Sequence, residues 1–197
     1  MMRNQIAHID LKPTMEMIAQ EGIQAPFSTH RINEADCALV CDVLDAYARV
    51  QYNLRLGMGV RAYIDATFTV PVQELNDSDV IIHALRLFES IKGKRTEYVR
   101  AIEALAVINK HRNLRHTLAH WLIRRSPLGD ILIFFSTDIK QVVKQNGGNW
   151  KVERDFVSQD TGHAVIRVAD LKTVVSRLKE ASDHIGAASH HLMGPDV

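Results

Sequence analysis

Four stretches of this chain repeat apolar residues every three or four positions, a period that only packed helices satisfy over such lengths. The first opens at Asn33, and Val40, Leu44, Tyr47, Val50 and Leu54 follow at helical spacing. Asn33 suits an N-cap, and Glu34 and Asp36 put negative charge where the helix dipole favours it. The second starts near Asp77–Ser78–Asp79 and carries Val80, Ile81, Ala84, Leu85, Leu87, Phe88 and Ile91, with Gly93 marking its end. The third runs from about Thr96 to about Ile123. The fourth takes Asp170 as its N-cap and repeats Leu171, Val174, Val175, Leu178, Ala181, Ile185 and Ala188. The tail HHLMGPDV reads as a frayed end. Each helix has one apolar stripe and needs partners to bury it.

The character changes between the third and fourth stretches. Ser126-Pro127-Leu128-Gly129-Asp130 is a turn sequence, and Ile131 to Ser136 reads as a strand. Asn146-Gly147-Gly148-Asn149 separates two alternating segments, Gln141–Lys144 and Trp150–Glu153, which is a hairpin signal. The expected fold is therefore mainly α. It is a bundle of four to five major helices, with a small antiparallel β-hairpin element at about 122–157 between the last two. Residues 1–30 read as an N-terminal arm or peripheral helix, with Thr14 to Gln24 helical after Pro13 and Pro26–Thr29 as a connector. Residues 31–197 make the main domain. Val60 to Val70 has mixed character, with Thr67–Val70 extended and Pro71 ending it.

Composition removes several function classes. No apolar run approaches the ~18–20 residues of a membrane span. The N-terminus has no apolar core of signal-peptide length, so a cytoplasmic protein is expected. The formal charge of +1 gives no global drive toward nucleic acid, so any such affinity must be local. Two cysteines, Cys37 and Cys41, make neither a disulfide framework nor a zinc cluster, and read as small core residues. Gly57-Met58-Gly59 fits no phosphate-binding loop.

The uneven feature is histidine. Three of the ten fall within His111–His120, on the third helix. On a wheel of about 100° per residue, Ala104, Val107, Leu114, Leu118, Trp121 and Leu122 form the core stripe, with His111 near it. Asn109, Arg112, Asn113, His116 and His120 occupy an opposite arc of roughly 100°, and Arg115 flanks the stripe. That face is poor in Glu and Lys and rich in imidazole, guanidinium and amide groups, which bind and transform anions. His116 and His120 lie one turn apart without an acid between them, so no metal site is read there.

Arg115-His116-Thr117-Leu118-Ala119-His120 resembles the signature of the HEPN superfamily, in which an arginine and a polar residue precede a histidine on the penultimate major helix of a compact bundle. The order of helices, motif helix, hairpin and closing helix is similar over roughly residues 33–192. The resemblance implies a homodimeric, metal-independent endoribonuclease needing no cofactor. It gives Arg115, His116 and His120 catalytic roles, in a cleft shared by two copies. Arg112, Asn113, Asn109 and Arg124 become substrate-binding candidates. Arg112-Asn113 keeps a rival claim, because the wheel favours Arg112 and the motif spacing favours Arg115. An antitoxin or other regulatory protein is a further implied partner. Some members of the superfamily are non-catalytic nucleotide- or protein-binding modules, which is the alternative function. The basic groups Lys92-Gly93-Lys94-Arg95 and Arg124–Arg125 could touch phosphate or simply close helix ends.

Overall fold

The computed structural model describes residues 2–64, 72, 74–136, 150–152, 157–159 and 162–194. The chain is mainly helical, with a small antiparallel sheet between the last two helices of the described residues. The helices are α1 (Met2–Glu21), α2 (Glu34–Ile64), α3 (Asp77–Ile91), α4 (Thr96–Lys110), α5 (Arg112–His120) and α6 (Val168–Leu192). A 3₁₀ turn, Gly22–Phe27, follows α1. The strands are β1 (Leu122–Arg125), β2 (Ile131–Phe135), β3 (Trp150–Val152), β4 (Val157–Gln159) and β5 (His163–Arg167), in the sheet order β1-β2-β5-β4-β3. The chain forms two compact units, Met1–Asp42 with Asn113–Val174 and Val43–Arg112 with Val175–Val197.

The first unit is built on the sheet. β1 and β2 form a hairpin that aligns Leu122 with Phe135 and Arg125 with Leu132. Its turn is the one the sequence marks: Gly129 takes φ +144°, and Ser126 N–H donates to the Ile131 carbonyl at 2.9 Å. Ile131, Ile133 and Phe135 point to one face of β2, where they join Val157 and Val165 in a core with Leu11, Met15 and Ile18. The three α1 residues recur at i, i+4 and i+7, so one side of α1 covers the sheet. Within residues 1–30, Leu11, Met15, Ile18 and Ala25 belong to this unit's core. The α1 helix also runs through Pro13, where the sequence suggests a start. Burial of Leu11 on one side of the proline and Met15 and Ile18 on the other outweighs the missing hydrogen bond.

Polar contacts tie distant segments of this unit together. The Thr14 and Ser126 hydroxyls are hydrogen-bonded at 3.0 Å, both in buried residues. His30 and Arg125 exchange backbone hydrogen bonds at 2.9 and 2.8 Å beside β1. Asn33 caps α2 by accepting from the Asp36 N–H at 2.8 Å, and Asp36 returns a bond to the Asn33 N–H. The Asp36 carboxylate is 1 % exposed and takes the Arg125 guanidinium at 2.7 and 2.6 Å. Arg125 also pairs with Asp130. Those carboxylates, Asp36 foremost through its hydrogen bonds, hold the Arg125 pKa above its ordinary value.

The second unit is a helical bundle. Val43, Tyr47, Val50, Leu54 and Met58 of α2 are buried, as are Val80, Ile81, Ala84 and Phe88 of α3 and Tyr98, Ala101, Leu105 and Ile108 of α4. Leu178, Ala181, Ile185, Ala188 and Leu192 complete the core from α6. The Tyr47 hydroxyl donates to the Ile108 carbonyl at 2.5 Å, and Phe88 stacks on Tyr98 at 5.8 Å. Asn76 caps α3 by accepting from the Ser78 and Asp79 N–H groups, each at 3.0 Å. Gly57 lets α6 come close: a Cβ there would lie 3.0 Å from the Ser189 carbonyl oxygen.

Four expectations need correction. The third helix is two helices, because α4 ends at Lys110 and α5 covers only Arg112–His120. At His111, φ −96° and ψ 11° leave the helical range, and its N–H is shared among carbonyls of the last turn. That stretch also stops at His120 rather than about Ile123, because Leu122–Arg125 pairs with β2 and His30 as the first strand of the β element expected from about 122. Asp170 is not the cap of α6 but lies in its first turn, held by Arg167 at 2.6 and 2.9 Å. Cys37 and Cys41 are exposed thiols, since the α2 stripe that starts at Val40 leaves them on the wet side. The 141–149 half of the expected hairpin and residues 65–70 lie outside the described residues. Trp150–Val152 is a strand, and it aligns with β4, Trp150 opposite Gln159.

Candidate functional site

The α5 helix puts its chemistry on one side by simple periodicity. Leu114, Thr117 and Leu118 are buried, while Asn113, His116, Ala119 and His120 are exposed. Thr117 tolerates burial because its hydroxyl donates to the Asn113 carbonyl at 3.0 Å, one turn back. The His116 and His120 rings stand on consecutive turns, with centroids 4.7 Å apart and planes inclined by 53°. Two imidazoles that close can share a substrate, one accepting a proton while the other donates. Arg115 is half-buried, about 140° around the helix from His120, as the wheel requires.

The first unit thus holds Asn113, Arg115, His116 and His120 on one short helix, and Arg124 on the strand that follows. Arg124 is half-buried, and its Nε has no hydrogen-bond partner among the described residues. Its neighbour Arg125 is committed to Asp36 and Asp130. Asn109 and Arg112 belong to the second unit, and both are exposed. The wheel that groups Asn109 with His116 and His120 presumes an unbroken helix, and the break at His111 removes that basis. His111 itself is buried, as its place near the core stripe suggests.

The second unit has a concavity of its own. Arg95, His190, His191, Met193 and Gly194 line a cavity of about 200 Å³. Beside it, Glu97 is held below the usual carboxylate range, chiefly by its own backbone N–H and also by the His191 imidazole. His190 and His191 belong to the last turn of α6, which stays helical to the buried Leu192 where the sequence suggests fraying. Nothing local in the sequence links these histidines to Arg95. No group of three or more His, Cys, Asp or Glu side chains among the described residues could hold a metal ion.

No known protein family, curated protein or solved structure matches the chain.

Proposed function

We propose that this chain is a metal-independent endoribonuclease of the HEPN type, acting in the cytoplasm as a homodimer on RNA. The observation that supports this reading is the His116–His120 pair, exposed on the open face of α5 with rings 4.7 Å apart. RNA carries its own nucleophile, so the protein needs only proton transfer and charge stabilisation. His120 takes the proton of the 2′-hydroxyl as that oxygen attacks the adjacent phosphorus. The bond to the 5′-oxygen breaks, and that oxygen leaves as a hydroxyl after accepting a proton from the partner copy's imidazole or from water. Arg115 holds the phosphate and stabilises the added charge in the transition state, with His116 orienting it. The products are a 2′,3′-cyclic phosphate and a 5′-hydroxyl. Asn113 and Arg124 serve to hold the RNA backbone. A toxin or defence role, with an antitoxin as partner, rests on the sequence resemblance alone.

The test is incubation of purified protein with RNA in EDTA, followed by end-group analysis. Cleavage to cyclic-phosphate ends, blocked by a 2′-deoxy substitution at the scissile site, supports the proposal. Cleavage that needs added metal, or that survives the 2′-deoxy substitution, contradicts it. A second reading, a non-catalytic nucleotide- or protein-binding module, is favoured by the half-buried position of Arg115, off the histidine face. It predicts no cleavage, yet a rise in melting temperature with nucleotide.

A further inference from the structure

The outer face of α2 in the second unit has a pattern that the ribonuclease reading does not use. Tyr52, Leu56 and Tyr63 are exposed, at 67 %, 39 % and 92 %. With Gly59 they fall within about 60° of arc, opposite the buried Val43, Tyr47, Val50, Leu54 and Met58. The spacing of i, i+4, i+7 and i+11 is that of a helix–helix seam. No charged residue interrupts the arc from Tyr52 to Tyr63, and the Asp45–Arg49 ion pair lies before it. Gly59 is the hole in this seam: a Cβ there would meet nothing within 4 Å.

The four positions are complementary to themselves. Turned end for end about the midpoint between Leu56 and Gly59, the stripe sets each Tyr52 opposite a Tyr63 and each Leu56 opposite a Gly59. Large meets large at the ends, and a knob meets a hole at the centre. We propose that this face docks a second copy of the chain, α2 against α2 in antiparallel register, with Leu56 seated over Gly59 of the other protomer. Glycine at position 59 costs about 1 kcal/mol of helix stability relative to alanine, which close backbone approach explains. Taking ~200 Å² per aromatic side chain, with Ile64 at the rim, the two copies bury roughly 900 Å². That falls just short of the ~1,000 Å² of a stable specific interface, so a weak, reversible association is expected.

The experiment reads association through this face: a dimer indifferent to its substitutions leaves the homodimer of the ribonuclease reading standing, whereas a monomer throughout counts against both. Sedimentation velocity over ~1–200 μM protein should show a monomer–dimer equilibrium. Gly59→Gln should weaken it at least tenfold without lowering the melting temperature measured on the monomer, because the new side chain enters open space. Tyr63→Glu should do the same. For register, Tyr52→Cys and Tyr63→Cys variants are mixed in a Cys37→Ser/Cys41→Ser background with a short bis-maleimide. Cross-linking between 52 and 63 is expected, whereas 52–52 pairs stand about 16 Å apart along the helix axis. A monomer throughout the range, a dimer indifferent to both substitutions, or 52–52 cross-links in preference to 52–63 overturns the proposal.

Discussion

Two glycines one turn-half apart on α2 should respond to alanine with opposite signs. In a helix interior, Gly→Ala gains about 1 kcal/mol from backbone entropy alone. At Gly59 nothing opposes that gain, because the new Cβ enters open space. A melting temperature about 2–4 °C higher is expected for a chain of this length. At Gly57 the same Cβ would lie 3.0 Å from the Ser189 carbonyl oxygen, 3.1 Å from its Cβ and 3.2 Å from its Cα. Two of those atoms are backbone, so α6 must shift rather than a side chain rotate. Overpacking of that kind costs about 1–3 kcal/mol, which cancels or exceeds the propensity gain. The net effect at Gly57 is therefore a loss of about 0–2 kcal/mol. Far-UV circular-dichroism melts at sub-micromolar protein in a long-path cell measure the folding of these helices with any dimer dissociated. If Gly57→Ala stabilises as much as Gly59→Ala, α6 does not approach α2 as described.

Arg125→Met should destabilise the protein by about 3–5 kcal/mol in urea titrations, because it strands the buried Asp36 carboxylate. Replacing both partners by apolar residues should recover most of that loss, since no charge is then left unpaired. His163 predicts a pH dependence. Burial holds its pKa below the ordinary 6.5, so the folded state binds fewer protons than the unfolded state. Its contribution is full above that value and is lost as pH falls through it. The urea midpoint should drop between pH 7.5 and 5.5 by more in the wild type than in His163→Gln, and equal drops would assign the effect to other groups.

Local chemistry made much of the fold legible. The asparagine cap at 33, the start of α3 at 77–79, the turn at 126–130 and the apolar period of α2, α3 and α6 each depend on neighbours within four residues. What was hidden depends on partners far along the chain. The periodicity carries the third helix on to about Ile123, whereas β2 and His30 supply the hydrogen bonds that make Leu122–Arg125 the first strand. Pro13 marks a helix start unless α1 is held on both sides by the sheet core. Arg125 resembles Arg124 in sequence, and what distinguishes it is its pairing with Asp130 and, 89 positions away, Asp36. On the candidate site, wheel geometry within α5 was readable, so the exposure of His116 and His120 followed from spacing. Extending the wheel back to Asn109 was not sound, because the break at His111 has no glycine or proline to mark it.

The central claim is that His120 moves a proton in RNA cleavage. The direct measurement is the single-turnover cleavage rate in EDTA for the wild type and His120→Ala, with circular dichroism and melting temperature recorded for both. Proton transfer of this kind contributes about 10²–10⁴-fold. The account predicts a loss of at least a hundredfold in a variant whose fold and melting temperature are unchanged, as expected for an exposed side chain. A His120→Ala variant that is folded and cuts RNA at the wild-type rate would contradict it.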